Sequence, residues 1–319
     1  MANPEDLGRY RLKRLLGRGA MGQVWEAHDL EHEGNKVAVK ILHAADDELA
    51  LARSTFAREA RLASLLRHPH VAAVHDAGEA AGTSFMVMEM VEGRSLRSMI
   101  GDPSTTLADK LRWIRQIAEG LTAMHRVGLV HRDLKPENVI VRPDRTACIV
   151  DLGMAKWTKF DLGGERDPED ELEAELALPS PPSVYVPPET ITMELYDELG
   201  DQYAFGVIAY ELITGSAPKD DAPPLTERDD VPKAVAAAID RARSAERGDR
   251  WDAMELLLDE LPNETTSAAP ATAEAPAGGT TSTRPQASAS PAERPRLSPV
   301  VVGAVVLVIA AVAAFVALR

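Results

Sequence analysis

A short polar stretch near the middle of the chain carries the residue types best suited to chemistry. It reads Val130-His131-Arg132-Asp133-Leu134-Lys135-Pro136-Glu137-Asn138, and the apolar run Val139-Ile140-Val141 follows directly. The apolar residues would anchor a polar turn and leave Asp133, Lys135 and Asn138 free to face a substrate. A carboxylate, an ammonium group and an amide suit phosphoryl transfer, because a transferring phosphoryl group needs positioning and charge neutralisation more than covalent help.

This stretch, with Asp151-Leu152-Gly153 after it, resembles the catalytic loop and metal-binding motif of serine/threonine protein kinases. The resemblance implies that Asp133 accepts or orients the proton of the substrate hydroxyl. It implies that Asn138 and Asp151 hold magnesium, and that Lys135 reaches the transferring phosphate. A plain polar turn between two strands is the alternative, but it would not explain so long a match.

Glycines near the N-terminus lie between two strand candidates. Gly17, Gly19 and Gly22 precede the apolar-bearing stretch Val24-Trp25-Glu26-Ala27. Glycine permits close backbone approach to phosphates. Dinucleotide-binding folds share this spacing but place a helix after the glycines, so a following strand favours a kinase lid over ATP. The resemblance includes Val24, and an ordinary glycine hairpin is the alternative.

A strand candidate farther along ends in a lysine that the resemblance assigns to ATP. The stretch Lys36-Val37-Ala38-Val39-Lys40 matches a kinase element in which the final lysine holds the α- and β-phosphates. That role requires a buried acid as partner. Glu59 is the only acid in residues 53–67, which makes it the candidate. The alternatives are a solvated lysine and a surface carboxylate.

The apolar stretch Phe85-Met86-Val87-Met88 runs into a polar, glycine-containing turn and resembles the hinge between the two lobes of a kinase. The resemblance implies that backbone groups near Glu89 and Val91 bind adenine. A methionine-rich strand that only fills the core is the alternative. Apolar residues at helical spacing predict an amphipathic helix from Leu107 to Arg126, which delivers the chain into the catalytic loop. Cys148 is expected to be a small buried residue.

The segment between Asp151 and Glu189 departs from the kinase pattern. Seven of the eleven residues at 165–175 are Asp or Glu, and Thr158 is the only threonine in the segment. In the family, a phosphorylated residue of this segment pairs with the arginine that matches Arg132. Carboxylates of the acidic run are candidates to replace that phosphate, and a solvated acidic loop is the alternative.

A second departure precedes Glu189, where Pro182 stands in place of a family threonine. That threonine bonds toward the catalytic aspartate and lysine, so its loss puts efficiency and substrate register in doubt. Ser180 or Ser183 could compensate.

Farther along, the resemblance predicts structural supports for the catalytic loop. Asp201 is expected to open a buried helix and brace the loop backbone. Glu189 is expected to pair with Arg250.

Composition limits the alternatives. The formal charge is -15, which disfavours nucleic acid as a partner. Cys148 is the only cysteine, so the chain has no intrachain disulfide and a cysteine-based zinc site is implausible. The first residues offer no basic stretch followed by an apolar one, so a secretory signal is not indicated.

The composition of the C-terminal part predicts a linker followed by a membrane anchor. Residues 262–298 are rich in Pro, Ala, Ser and Thr, which predicts a disordered linker. Residues 299–318 are uncharged and apolar, which predicts one transmembrane helix, with a buried soluble helix as the alternative. Since ATP is cytoplasmic, the catalytic part should face the cytoplasm from the inner (cytoplasmic) membrane. Ala310 and Ala314 are a weak cue for a homodimer.

Together these features identify the chain as resembling the bacterial, eukaryotic-like (Hanks-type) serine/threonine protein kinases. The expected fold is α+β and two-lobed over residues 8–261, with a small β-rich N-lobe at about 8–90 and a larger helical C-lobe at about 91–261. The expected activity is magnesium-dependent transfer of the ATP γ-phosphate to protein hydroxyls. A pseudokinase or nucleotide-binding scaffold at the membrane is the alternative, and Pro182 is its best support.

Overall fold

The first part of the chain forms an antiparallel sheet. In the computed structural model, which describes residues 6–19, 22–32, 35–42, 63–80, 83–152, 156–157, 183–193, 196–219 and 221–262, this sheet has six strands. They are β1 (Asp6–Leu7), β2 (Tyr10–Gly19), β3 (Gly22–Asp29), β4 (Lys36–Leu42), β5 (Val74–Ala80) and β6 (Thr83–Glu89). Their order in the sheet is β1-β2-β3-β4-β6-β5.

The two faces of this sheet have different partners. Successive side chains of a strand point to opposite faces, so Val37, Val39 and Ile41 of β4 pack in one cluster with Tyr10 and Phe85. On the other face, Ala38, Met86 and Met88 join the larger core that continues into the helical part. The sheet is therefore fixed to the helices by its own alternation, and Lys40 lies on the strand that contributes to both clusters.

Helices follow the sheet. They are α1 (Leu107–Arg126), α2 (Pro188–Met193), α3 (Glu198–Thr214), α4 (Lys233–Ala242) and α5 (Met254–Asp259). The bounds of α1 match the predicted helix, and Thr106 and Asp109 form a reciprocal capping box at its start. Asp197 caps α3, which ends at Gly215 in a left-handed conformation. Because α3 is buried on nearly all sides, it is the central helix of this lobe.

Short strands connect the sheet to the helical lobe. They are β7 (Arg94–Ser95), β8 (Leu129–Val130), β9 (Val139–Val141), β10 (Ala147–Ile149) and β11 (Lys156–Trp157). Strands β9 and β10 form a hairpin that directly follows the catalytic loop. Cys148 in this hairpin is fully buried, and burial raises the pKa of its thiol to about 12, so the prediction of a packing role is confirmed.

The described residues confirm the two-lobed α+β fold, and all of them lie in one compact unit, Met1–Ala269. Several predicted features lie outside the described residues: Glu59, Thr158, Ser180, Pro182, the acidic run at 165–175, the linker and the apolar segment at 299–318. Within the part of the chain that the structure describes, no helix has both the length and the apolar character needed to cross a membrane.

Candidate active site

The buried carboxylate of Asp201 holds the backbone of the catalytic loop. Its Oδ2 accepts from the backbone nitrogen of His131 at 2.7 Å, and its Oδ1 accepts from that of Arg132 at 3.0 Å. The ring of His125 contacts Oδ2 at 2.9 Å. Burial by itself would raise the pKa of Asp201, but the contact with His125 and the other donors outweigh burial and lower it. Asp201 therefore remains charged and braces the loop, as predicted.

This brace fixes an unusual turn. Arg132 has φ +69, in the left-handed region that side chains other than glycine rarely adopt. The ring of His131 supports the same turn, accepting from the backbone nitrogen of Asp133 at 3.3 Å. The backbone that presents Asp133 is thus held from both sides.

Three of the predicted catalytic-loop residues meet in one cluster. The Lys135 ammonium lies 2.7 Å from Oδ2 of Asp133. The Asn138 amide donates to the Asp133 carbonyl at 2.7 Å and to its Oδ2 at 3.1 Å. The Asn138 amide nitrogen thus bonds Asp133 twice, and a carboxylate and an ammonium group lie next to each other.

Lys40 of β4 contacts the second predicted metal ligand, Asp151. Its Nζ lies 2.6 Å from Oδ1 of Asp151, and its side chain is only 7% exposed. Glu59, the partner expected from the sequence, lies outside the described residues, and the partner that the structure describes is Asp151. Asp151 has φ +65, a second left-handed position at the site.

The glycine turn lies beside Lys40. Val24 pairs with Gly17 on one side and with Lys40 on the other, and Gly19 pairs with Gly22 at the tip. A strand follows the glycines, as predicted. A dinucleotide-binding turn would be followed by a helix. Gly17, Val24 and Lys40 thus lie on three adjacent strands at one end of the sheet.

The connection between the lobes begins at Glu89. Its backbone nitrogen donates to the carbonyl of Ala73 at 2.8 Å. Gly93 has φ +157, and a Cβ placed there would lie 2.2 Å from the carbonyl oxygen of Val141. Only glycine fits that approach, so the segment from Glu89 through Val91 to Gly93 is closely constrained.

The donor set fits ATP with magnesium. Magnesium prefers oxygen ligands and is commonly held by one or two carboxylates together with substrate phosphates. Asp151 and Asn138 supply a carboxylate and an amide oxygen, and Lys40 supplies a cation for the phosphates. Asp133 and Lys135 lie next to Asn138 in the same loop.

The structure adds a polar cluster that the sequence did not predict. Arg97 contacts Glu137 at 2.7 Å, Glu211 at 2.5 Å and the hydroxyl of Tyr185 at 2.5 Å. Tyr185 also donates to Glu211. Burial, together with Glu211, raises the pKa of Tyr185, so the hydroxyl remains a donor. The cluster ties the catalytic loop to the segment before α2.

The predicted pair at the base of this segment is confirmed. Both oxygens of Glu189 accept from the guanidinium of Arg250, at 2.5 and 2.8 Å, and both side chains are buried. A bidentate pair of this kind is strong and directional. Arg247 adds a second guanidinium, which contacts Asp197 at the start of α3.

The sheet carries Lys40, and the helical lobe carries the cluster of Asp133, Lys135 and Asn138, with Asp151 between them. This arrangement defines a two-lobed kinase. The family model described as "Protein kinase domain" matches residues 10–265, and the chain belongs to this family.

Relatives agree with this assignment. The chain is 34% identical over 248 residues to "Serine/threonine-protein kinase pkn2" of Myxococcus xanthus, covering 76% of this chain and 29% of that protein. It is 34% identical over 260 residues to "Serine/threonine-protein kinase PknH" of Mycobacterium tuberculosis, covering 76% of this chain and 40% of that protein. The chain thus spans less than half the length of these curated relatives.

Solved structures show the same fold. The kinase domain of Mycobacterium tuberculosis PknI, as its C20A mutant, superposes with a TM-score of 0.62 at 28% identity, covering 82% of this chain and 98% of that one.

Removal of the Tyr185 hydroxyl tests the polar cluster. Tyr185→Phe deletes hydrogen bonds worth about 1 kcal/mol each and loosens the segment before α2. We expect the KM for a protein substrate to rise about threefold to tenfold, with the KM for ATP unchanged. Tyr210→Phe is the control, since that hydroxyl bonds the Pro223 carbonyl away from the loop. An equal effect of both variants in steady-state kinetics would contradict the assignment.

Proposed function

We propose that this chain is a serine/threonine protein kinase that transfers the γ-phosphoryl group of ATP to hydroxyl groups of proteins. The observation that carries the proposal is the cluster of Asp133, Lys135 and Asn138 together with the Lys40–Asp151 pair, to which a 2.8 Å backbone hydrogen bond from Val150 to Asn138 connects it. Residues of these types in this arrangement neutralise and orient phosphates and activate a hydroxyl. The names of the relatives support serine/threonine specificity.

Each residue then has a defined task. Asp133 accepts a hydrogen bond from the substrate hydroxyl, orients it and takes its proton. Lys135, already 2.7 Å from Asp133, lies where it can neutralise charge on the transferring group. Lys40 binds the α- and β-phosphates, and Asp151, its present partner, becomes available to the metal. Magnesium, when bound by Asp151 and Asn138, supplies charge neutralisation at the phosphates.

The backbone supplies the rest of the ATP site. The turn of Gly17, Gly19 and Gly22 covers the phosphates, with Val24 beside them. Backbone groups at Glu89 and Val91 bind adenine. Because the lobes contribute to opposite sides of the nucleotide, transfer depends on their relative position.

Radiolabelled phosphate transfer tests this function. Asp133→Asn removes the proton acceptor, and Lys40→Met removes the phosphate contact. We expect each variant to transfer at least about a hundredfold less phosphate than the wild type, both in autophosphorylation and to a generic protein substrate. Asp230→Asn is a matched control, because it removes an exposed carboxylate of the same lobe whose partner, Arg228, lies only two residues away.

Undiminished transfer by Asp133→Asn would overturn the mechanism. Nucleotide binding by the wild-type protein without any transfer would instead favour the scaffold alternative.

We further propose that residues 299–318 anchor the protein in the cytoplasmic membrane as a single-pass helix, with the kinase domain facing the cytoplasm. The support is the uncharged, apolar composition of that segment after a polar linker. Ala310 and Ala314 could bring two such helices together as a homodimer.

Membrane fractionation tests the anchor. The full chain should sediment with membranes and resist extraction by alkaline carbonate, whereas a chain that ends at residue 298 should be released. Release of both chains would contradict the anchor. Chemical crosslinking tests the dimer, with the membrane-bound full chain compared with the released chain that ends at residue 298. A dimer formed through the anchor predicts a crosslinked pair only for the full chain.

A further inference from the structure

Arg142, the residue directly after β9, links the helical lobe to the connection between the lobes. Its Nη1 donates to the carbonyl of Pro69 at 2.8 Å, and its Nη2 contacts Oε1 of Glu89 at 2.9 Å. Neither partner is close to Arg142 in sequence. One planar guanidinium therefore holds two points of the N-lobe at the same time, which a lysine ammonium could do less well.

Glu89 connects the Arg142 side chain to the backbone. Its second oxygen, Oε2, accepts from the backbone nitrogen of Ala73 at 3.3 Å, and its own nitrogen donates to the carbonyl of Ala73 at 2.8 Å. Glu89 is also the last residue of β6, where its backbone enters the connecting segment. Its carboxylate orientation and its backbone position are thus linked.

The other end of the connecting segment meets the same strand. Gly93 lies so close to Val141, the residue before Arg142, that a Cβ would be 2.2 Å from its carbonyl oxygen. The end of β9 therefore contacts the connection at both Glu89 and Gly93. The backbone between these two points includes Val91, where adenine would bind.

The ion pair is partly exposed and belongs to a larger set of hydrogen bonds. The side chain of Arg142 is 22% exposed and that of Glu89 is 36% exposed. Exposed pairs contribute little because water and salt screen them. Here a backbone carbonyl and a backbone N–H complete the set, so the pair is part of a network that restricts geometry.

We propose that Arg142 is a positioning residue for ATP, acting through Glu89 to fix the hinge backbone that binds adenine. This inference rests on the proposed function, since it assumes that adenine binds at Glu89 and Val91. Arg142 is not among the residues assigned to the nucleotide or to the reacting atoms, and its contacts are with Pro69 and Glu89. Its loss should weaken nucleotide binding and leave the chemical step nearly unchanged.

Nucleotide affinity and turnover of the full chain separate this role from a merely structural one. We expect Arg142→Met to raise the dissociation constant of a non-hydrolysable ATP analogue about threefold to tenfold. At saturating ATP, kcat should stay within about twofold of wild type. The control is Arg126→Met, which removes an exposed pair with Glu255 at 3.0 Å between α1 and α5 and should leave nucleotide affinity unchanged.

A second variant and a double-mutant cycle guard against misfolding as an explanation. Arg142→Lys keeps the charge but lacks the planar fork that reaches both acceptors at once, so its dissociation constant should be intermediate. Glu89→Gln combined with Arg142→Met should bind the analogue no more weakly than Arg142→Met alone, because the two side chains act as a unit.

Three results would overturn the inference. The first is equal analogue affinity in Arg142→Met and Arg126→Met, and the second is additive effects in the cycle. The third is a fall in kcat with affinity unchanged. A wild-type protein that does not bind the analogue would reject the proposed ATP site, and this inference with it. Normal wild-type binding with an unaffected Arg142→Met rejects only the role of Arg142.

Discussion

The site depends on one buried carboxylate. Asp201 accepts hydrogen bonds from the backbone of His131 and Arg132 and contacts His125, in a position that is fully buried. Those buried donors would cost about 1–3 kcal/mol each if left without an acceptor. Because Asp201 is on the central helix α3, the loop that presents Asp133 is tied to the most deeply packed element of its lobe.

The remaining polar contacts set the position of other parts relative to that loop. The Lys40–Asp151 pair joins the sheet to the metal-binding motif, and the Arg142–Glu89 pair joins β9 to the hinge. Arg97 ties the loop to the segment before α2. Each contact joins pieces of chain that are far apart in sequence. Apolar packing forms the lobes, and these directional contacts set the positions of the pieces that they join.

Local pattern was enough to predict much of the site. Asp133, Lys135 and Asn138 lie within one short loop, so their meeting follows from the loop itself. Helix Leu107–Arg126 follows from apolar spacing. The pair of Glu189 and Arg250 joins distant residues, and it was predicted only because family resemblance supplied the partner.

Other contacts carry no sequence signal. Arg97, Tyr185 and Glu211 come from three separate segments, and no spacing or periodicity relates them. The same holds for Arg142 and Glu89. From sequence alone, an arginine in a polar turn is expected to be solvated, and only the fold shows that an acceptor lies beside it. Lys40 was matched to Glu59, whereas Asp151 is the partner that the structure describes.

The central claim is that a charged Asp201 holds the loop backbone in its catalytic form, and backbone amide hydrogen exchange of wild type and Asp201→Asn tests it most directly. The amides of His131 and Arg132 should exchange slowly in the wild type, and at least one of them should exchange at least about a hundredfold faster in Asp201→Asn, while α1 stays protected. An asparagine cannot offer two acceptor oxygens. Fast exchange of both amides in the folded wild type, or equal protection in the variant, would contradict the account.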